Sequence, residues 1–255
     1  MVVEVSFSGA RADLILRRPE VLNAMNWDVF DALAKSADEI RGASDVRVVV
    51  VSGEGRSFSS GIDTSTFGEA SGDPQDRVAR AQAGFRKLAA LPVPTIAKVQ
   101  GHALGAGLQL ALACDIRVIA QDASVGLLEG RYGIIPDLGG TQRLPLLVGP
   151  GRAKKMIWLA ERIDGAEAGH IGLAEIVVAA DQLDATVDDL ADRIAKAPPL
   201  AVKAGKRLVD LAGAVPHEAG MDEEARVQQA LLNSRDFGEA LSAFIEKRDP
   251  DYNGT

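Results

Sequence analysis

Two short runs of residues that favour extended backbone, 2–7 and 12–18, flank Gly9, Ala10 and Arg11, and the pair reads as a β-hairpin with glycine easing the turn. The apolar spacing then lengthens. Phe30, Leu33, Ala34, Ala37 and Ile40 recur at three- and four-residue steps, which predicts a helix capped by Asn26 and ended by Gly42. The valine-rich run 46–51 has no polar face and predicts a central strand buried on both sides. Beyond it the chain alternates: a helix over 77–90, the breaker Leu91-Pro92-Val93-Pro94, a strand over 95–99, a helix over 106–113 and a strand over 116–120.

From about residue 151 the pattern becomes helical, with helices expected over 152–161, 184–197, 201–211, 218–233 and 237–247 and one short strand over 175–178. Leu231, Leu232, Phe237, Leu241, Phe244 and Ile245 form apolar stripes that must pack on the chain's own core or on a neighbouring subunit. Residues 67–75, rich in Gly, Ser, Asp and Pro, read as a surface loop that would rim a binding site. A chain of 255 residues suits one large core. The expected class is α/β, with a helical section at its end.

Composition narrows the function classes. Charged residues make up 25% of the chain and hydrophobic ones 47%, as in ordinary folded proteins. With 28 basic and 36 acidic residues the net charge is −8, so no basic field favours nucleic acid or an anionic membrane. The one cysteine, Cys114, has no internal disulfide partner, and no Cys/His cluster has zinc-ligand spacing, so no metal site is expected. Residues 1–7 lack the basic and apolar regions of a signal peptide, and no apolar run is long enough to span a bilayer. A cytoplasmic location is expected.

Several familiar signatures fail when spelled out. Gly55-Arg56-Ser57-Phe58-Ser59 lacks the last glycine of a nucleophile elbow, His217-Glu218-Ala219-Gly220-Met221 lacks the second histidine of a zinc protease, and Gly105-Ala106-Gly107 does not continue as a dinucleotide fingerprint. Gly149-Pro150-Gly151-Arg152 reads as a plain turn. His102, His170, His217, Trp27 and Trp158 are assigned no chemistry, the tryptophans being expected in packing. Two glycine-bearing strand exits remain, 57–63 and 101–107. Small residues there let backbone N–H groups face a ligand, and two such donors aimed at one carbonyl oxygen make an oxyanion hole.

With these loops in place the sequence resembles the enoyl-CoA hydratase/isomerase, or crotonase, family nearly end to end. Arg18-Pro19-Glu20-Val21-Leu22-Asn23-Ala24-Met25 looks like its RPxxxNAL signature. Residues 58–63, 101–107, 113–117, 139–144 and 243–248 follow in the family's order. The resemblance implies a ClpP/crotonase spiral of ββα units over 1–195 that carries the active site, a helical C-terminal trimerisation region over 196–255 at the subunit interface, a homotrimer or a hexamer made of two trimers, and an acyl-CoA substrate with no separate cofactor. It further implies oxyanion donors at the N–H groups of Ile62 and Ala106. Substrate and CoA contacts would come from Arg18, Val21, Ser60, Gly61, Asp63 and Gly105, and from Phe244 and Lys247 of a neighbour's C-terminus. Two positions where the family often carries lysine hold Glu20 and Ser65.

The family separates its chemistries by carboxylates. Its two hydratase glutamates match Gln109 and Glu129, and Gln109 cannot act as a base near neutral pH. Glu129 keeps an ionisable group among apolar neighbours and is the expected acid/base. Asp137 stands where dienoyl-CoA isomerases of the family have an acid, and is a candidate second proton site. The leading expectation is double-bond isomerisation. The alternatives are hydration of a 2-enoyl-CoA by Glu129 with a water held by Gln109, and a non-catalytic acyl-CoA-binding protein.

Overall fold

β1 (Val3–Ser8) and β2 (Arg11–Leu16) pair antiparallel from Ser8 and Arg11 outward, with Gly9 at φ +56° in the turn. The structure is a computed structural model, and it describes residues 1–68 and 73–255. In α1 (Trp27–Gly42) the Asn26 side chain accepts the Val29 N–H, and Val29, Phe30, Leu33, Ala37 and Ile40 are buried. That is the predicted cap and the predicted face. β3 (Val48–Gly53) is buried at every residue and pairs parallel with β2.

α2 (Pro74–Ala89) starts three residues earlier than expected, because Asp73 caps it and Pro74 fits its first turn. The loop expected over 67–75 thus overlaps α2 at Pro74 and Gln75, and residues 69–72 lie outside the described residues. β4 (Thr95–Val99) pairs parallel with β3. After it come β5 (His102–Leu104), α3 (Ala106–Ala113), β6 (Ile116–Ala120) and β7 (Ser124–Gly126). α4 (Gly140–Val148), α5 (Pro150–Leu159), β8 (Ile163–Asp164), α6 (Gly165–His170), β9 (Ile176–Val178) and α7 (Leu183–Lys196) follow.

The main sheet runs β1-β2-β3-β4-β6-β9, parallel throughout except at its β1/β2 edge. A second sheet of order β5-β7-β8 stands beside it. α7 packs on β3, β4 and β6, and α1 packs on β1, β2 and α2. The strands of the second sheet have only two or three residues each, too few to show a period, and none was expected from the sequence. α4 was missed as well, since Pro145 lies within it.

The chain ends in α8 (Pro199–Leu211), α9 (His217–Leu232) and α10 (Arg235–Glu246). Trp158, expected in packing, is instead 73% exposed, while Trp27 packs against Phe30 and lies under the guanidinium groups of Arg77 and Arg80. No helix among the described residues is long and apolar enough to cross a membrane.

Candidate active site

Because β3 and β4 are parallel neighbours, the loops that leave their C-terminal ends emerge side by side, where open α/β sheets place ligands. Backbone bonds then stitch the two loops together. Ser59 N–H donates to the His102 carbonyl (2.8 Å), and Leu104 N–H donates to the Ser59 carbonyl (3.1 Å). On its other side the first loop binds Met25, whose N–H donates to the Gly61 carbonyl (2.7 Å) and whose carbonyl accepts the Asp63 N–H (2.9 Å). Groups on both sides of Ile62 thus face Met25. In extended backbone the Ile62 N–H must point the opposite way.

That N–H has no acceptor among the described residues, and neither has the N–H of Ala106, in the first turn of α3 where no preceding helical carbonyl exists. Both residues line one cavity of ≈ 80 Å³ together with Leu128, Glu129, Tyr132 and Ile134. Gly61 sits at φ +104°, and a Cβ there would lie 2.7 Å from the Leu104 carbonyl oxygen, so only glycine lets the loops approach this closely. An oxygen placed here would meet two main-chain donors and the positive end of α3.

Glu129 enters the cavity from the 3₁₀ turn Glu129–Tyr132 after β7 and is 6% exposed. Its Oε1 accepts from Gln109 Nε2 (2.7 Å), while its Oε2 is buried with no partner among the described residues. Gln109 Oε1 in turn accepts the N–H groups of Leu138 (2.7 Å) and Gly140 (3.0 Å). The amide is therefore a clamp between α3 and residues 138–140, and both lone pairs of its oxygen are engaged. Burial pushes the Glu129 carboxyl above the ordinary carboxylate range, and the nearby charge of Asp137 adds in the same direction.

Asp137 does not line this cavity. It borders a larger one together with Ile135 and Leu138, and burial raises its carboxyl too. Arg18, expected at CoA, is tied internally: its guanidinium donates to the Ala24 carbonyl (2.6 Å) and to Asp63 (2.9 Å). Asp63 also accepts from the Ser65 N–H and hydroxyl, and these bonds with Arg18 hold its carboxyl below the usual range. Ser60 and Gly61 line the cavity; Ser60 also donates to the carbonyl of Val21, which is 39% exposed. Gly105 lies against Glu129, where a Cβ would come 3.3 Å from Oε1. Phe244 and Lys247 are exposed on or just after α10, and neither lines the cavity.

Sequence reasoning missed Asn23 as an organiser. It is 1% exposed, donates to the carbonyls of Glu54 and Ser57, and accepts the Arg18 N–H, which fixes the loop beneath the first donor. A polar residue within an apolar turn was the available signal. Tyr132 and Ile134 were also missed, and nothing in their spacing marks them. No group of three or more His, Cys, Asp or Glu among the described residues could hold a metal ion.

Two unpaired loop amides and a buried carboxyl thus meet in one cavity at the C-terminal edge of a parallel sheet. The chain belongs to the enoyl-CoA hydratase/isomerase family, whose pattern it matches over residues 8–255. It is 36% identical over 247 residues to the short-chain-enoyl-CoA hydratase of Clostridium acetobutylicum, covering 94% of this chain and 93% of that one. The crystal structure of an enoyl-CoA hydratase from Bacillus anthracis superposes with a TM-score of 0.94 at 34% identity, covering 100% of both chains. A Thermobifida fusca relative, 38% identical with a TM-score of 0.85 over 91% of this chain and 93% of that one, was solved in complex with CoA.

Proposed function

We propose that the protein is an acyl-CoA double-bond isomerase in which the N–H groups of Ile62 and Ala106 hold the thioester oxygen and Glu129 is the sole proton carrier. The observation that carries this reading is the bare, buried Oε2 of Glu129 in the same cavity as two unused amide donors. With a 3-enoyl-CoA, Oε2 takes a proton from C2 and the electron pair moves onto the thioester oxygen, forming a dienolate. The same carboxyl returns the proton to C4, so the double bond shifts from C3–C4 to C2–C3. Only protons and π electrons move, and the step uses no metal or redox group. Each oxyanion donor contributes about 2.7–4 kcal/mol of transition-state stabilisation, and general acid–base transfer a factor of roughly 10²–10⁴.

CoA as the carrier is supported by the relative solved with it. A second reading, hydration of 2-enoyl-CoA, draws support from relatives named hydratases, such as that of C. acetobutylicum. It needs a water held opposite the substrate, and the Gln109 oxygen is already committed to two main-chain donors. The deciding experiment offers 2-enoyl- and 3-enoyl-CoA separately in deuterated water and follows product mass. Rearrangement of the 3-enoyl thioester without water addition is expected, and Glu129→Gln should lower kcat by about 10²–10⁴. Fast hydration of the 2-enoyl thioester with an inert 3-enoyl one would reverse the order. Binding without any turnover would leave a non-catalytic acyl-CoA carrier.

A further inference from the structure

The two ends of the Gln109 amide are assigned by their neighbours. Its Oε1 accepts the N–H groups of Leu138 (2.7 Å) and Gly140 (3.0 Å), so its Nε2 is the end that meets Glu129, 2.7 Å from Oε1 of the carboxyl. The reverse placement would set an amide NH2 against two main-chain N–H groups and an amide oxygen against a carboxylate. Gln109 can therefore only donate to Glu129. At 1% exposure that bond is sheltered from competing solvent.

This decides where a proton on Glu129 can sit. A proton on Oε1 would point a second donor at the Gln109 NH2, and that side is tightly walled, since a Cβ added to Gly105 would come 3.3 Å from Oε1. Oε2 is buried without a partner among the described residues, and Glu129 shares its cavity with Ile62, Ala106 and Tyr132. A protonated Glu129 thus keeps its carbonyl end on Gln109 and carries its proton on the other oxygen. The Gln109 donor favours the charged carboxyl, as do the N–H groups of Leu128 and Glu129, while burial and the charge of Asp137 oppose it.

We infer that Gln109 is a positioning residue that confines the proton carried by Glu129 to Oε2, an assignment that rests on Glu129 being the proton carrier of the proposed reaction. The C2–H bond breaks as Oε2–H forms, and its electron pair is passed to the thioester oxygen. Oε2–H then breaks as the C3–C4 pair takes the proton at C4, and the re-forming thioester carbonyl leaves the double bond at C2–C3. Oε1 accepts from Gln109 throughout. No turn of the carboxyl separates the two steps, so the hydrogen removed is the hydrogen returned.

Infrared spectra from which those of Glu129→Gln are subtracted isolate the carbonyl band of protonated Glu129, with no substrate present. In Gln109→Leu that carbonyl loses its hydrogen bond, so the band should move to higher frequency and its titration midpoint should rise by about one pH unit. Gln109→Glu keeps an acceptor for Leu138 and Gly140 and removes only the donor, which covers the case in which Gln109→Leu does not fold. Two facing carboxyls then share a proton on the Oε1 side, away from the substrate. With a 3-enoyl-CoA deuterated at both C2 positions, wild type in ordinary water should return label to C4, and Gln109→Glu should lose most of that return. An unmoved band and midpoint in Gln109→Leu, wild-type product without label at C4, or undiminished return in Gln109→Glu would each overturn the inference. A shifted band in a protein that isomerises no 3-enoyl-CoA keeps Gln109 as the donor that orients Glu129 and removes the isomerase reading. Isomerisation with an unmoved band does the opposite.

Discussion

Glu129 has one carboxylate oxygen engaged and the other bare, and its ionisation is coupled to folding. Its pKa is raised in the folded chain, so the native state binds a proton more readily than the unfolded state does. Stability linked to this group is therefore intact below the unfolded pKa and is lost as pH rises through the folded one. Glu129→Gln, neutral at every pH, should escape the loss. Its Tm is expected to exceed that of wild type by more at pH 8 than at pH 4, measured by scanning calorimetry, and an equal difference at both would contradict the burial argument. The bare oxygen would then be a site that trades stability for chemistry.

Among elements, the joint between α3 and the first loop sets the geometry of the two amides. A Cβ on Gly107 would lie 2.5 Å from the Ser59 carbonyl oxygen, a backbone atom that cannot swing aside. Gly107→Ala should therefore push α3 away from Ile62 and lower kcat by about tenfold or more while the circular dichroism stays native, since one oxyanion donor alone is worth about 10²–10³. Retained kcat would mean that the loops are not coupled in this way. The elements that carry this geometry were largely legible in advance: Asn26 marked the start of α1, the valines of β3 marked a two-sided core strand, and α3 was bounded at Ala106 and Ala113 as observed. Short pairings escaped because β5, β7 and β8 take their partners from distant residues rather than from a local period. The same limit applied to side chains. Glu129 and the two amides were nameable from motif order, whereas the absence of Asp137 from the cavity that Glu129 lines and the internal tie of Arg18 depend on which way a loop turns.

At the scale of the whole molecule, large apolar side chains lie open on one C-terminal helix. On α10, Leu241 is 50%, Phe244 84% and Ile245 78% exposed, more than an isolated chain ordinarily leaves in water. A second copy covering this face would account for them, and the expected outcome of light scattering is then a trimer or a pair of trimers. The double substitution of Phe244 and Ile245 by Asp should lower the mass to that of one chain, and an unchanged mass would place the contact elsewhere. Cys114 tells a different story. It is the only cysteine of the chain, 1% exposed at the end of α3, and burial pushes its thiol up to about 12. A maleimide dye at neutral pH should therefore leave the native protein unlabelled and attach in proportion to added urea, so the chain carries its own fluorescent clock for opening, with no engineered probe.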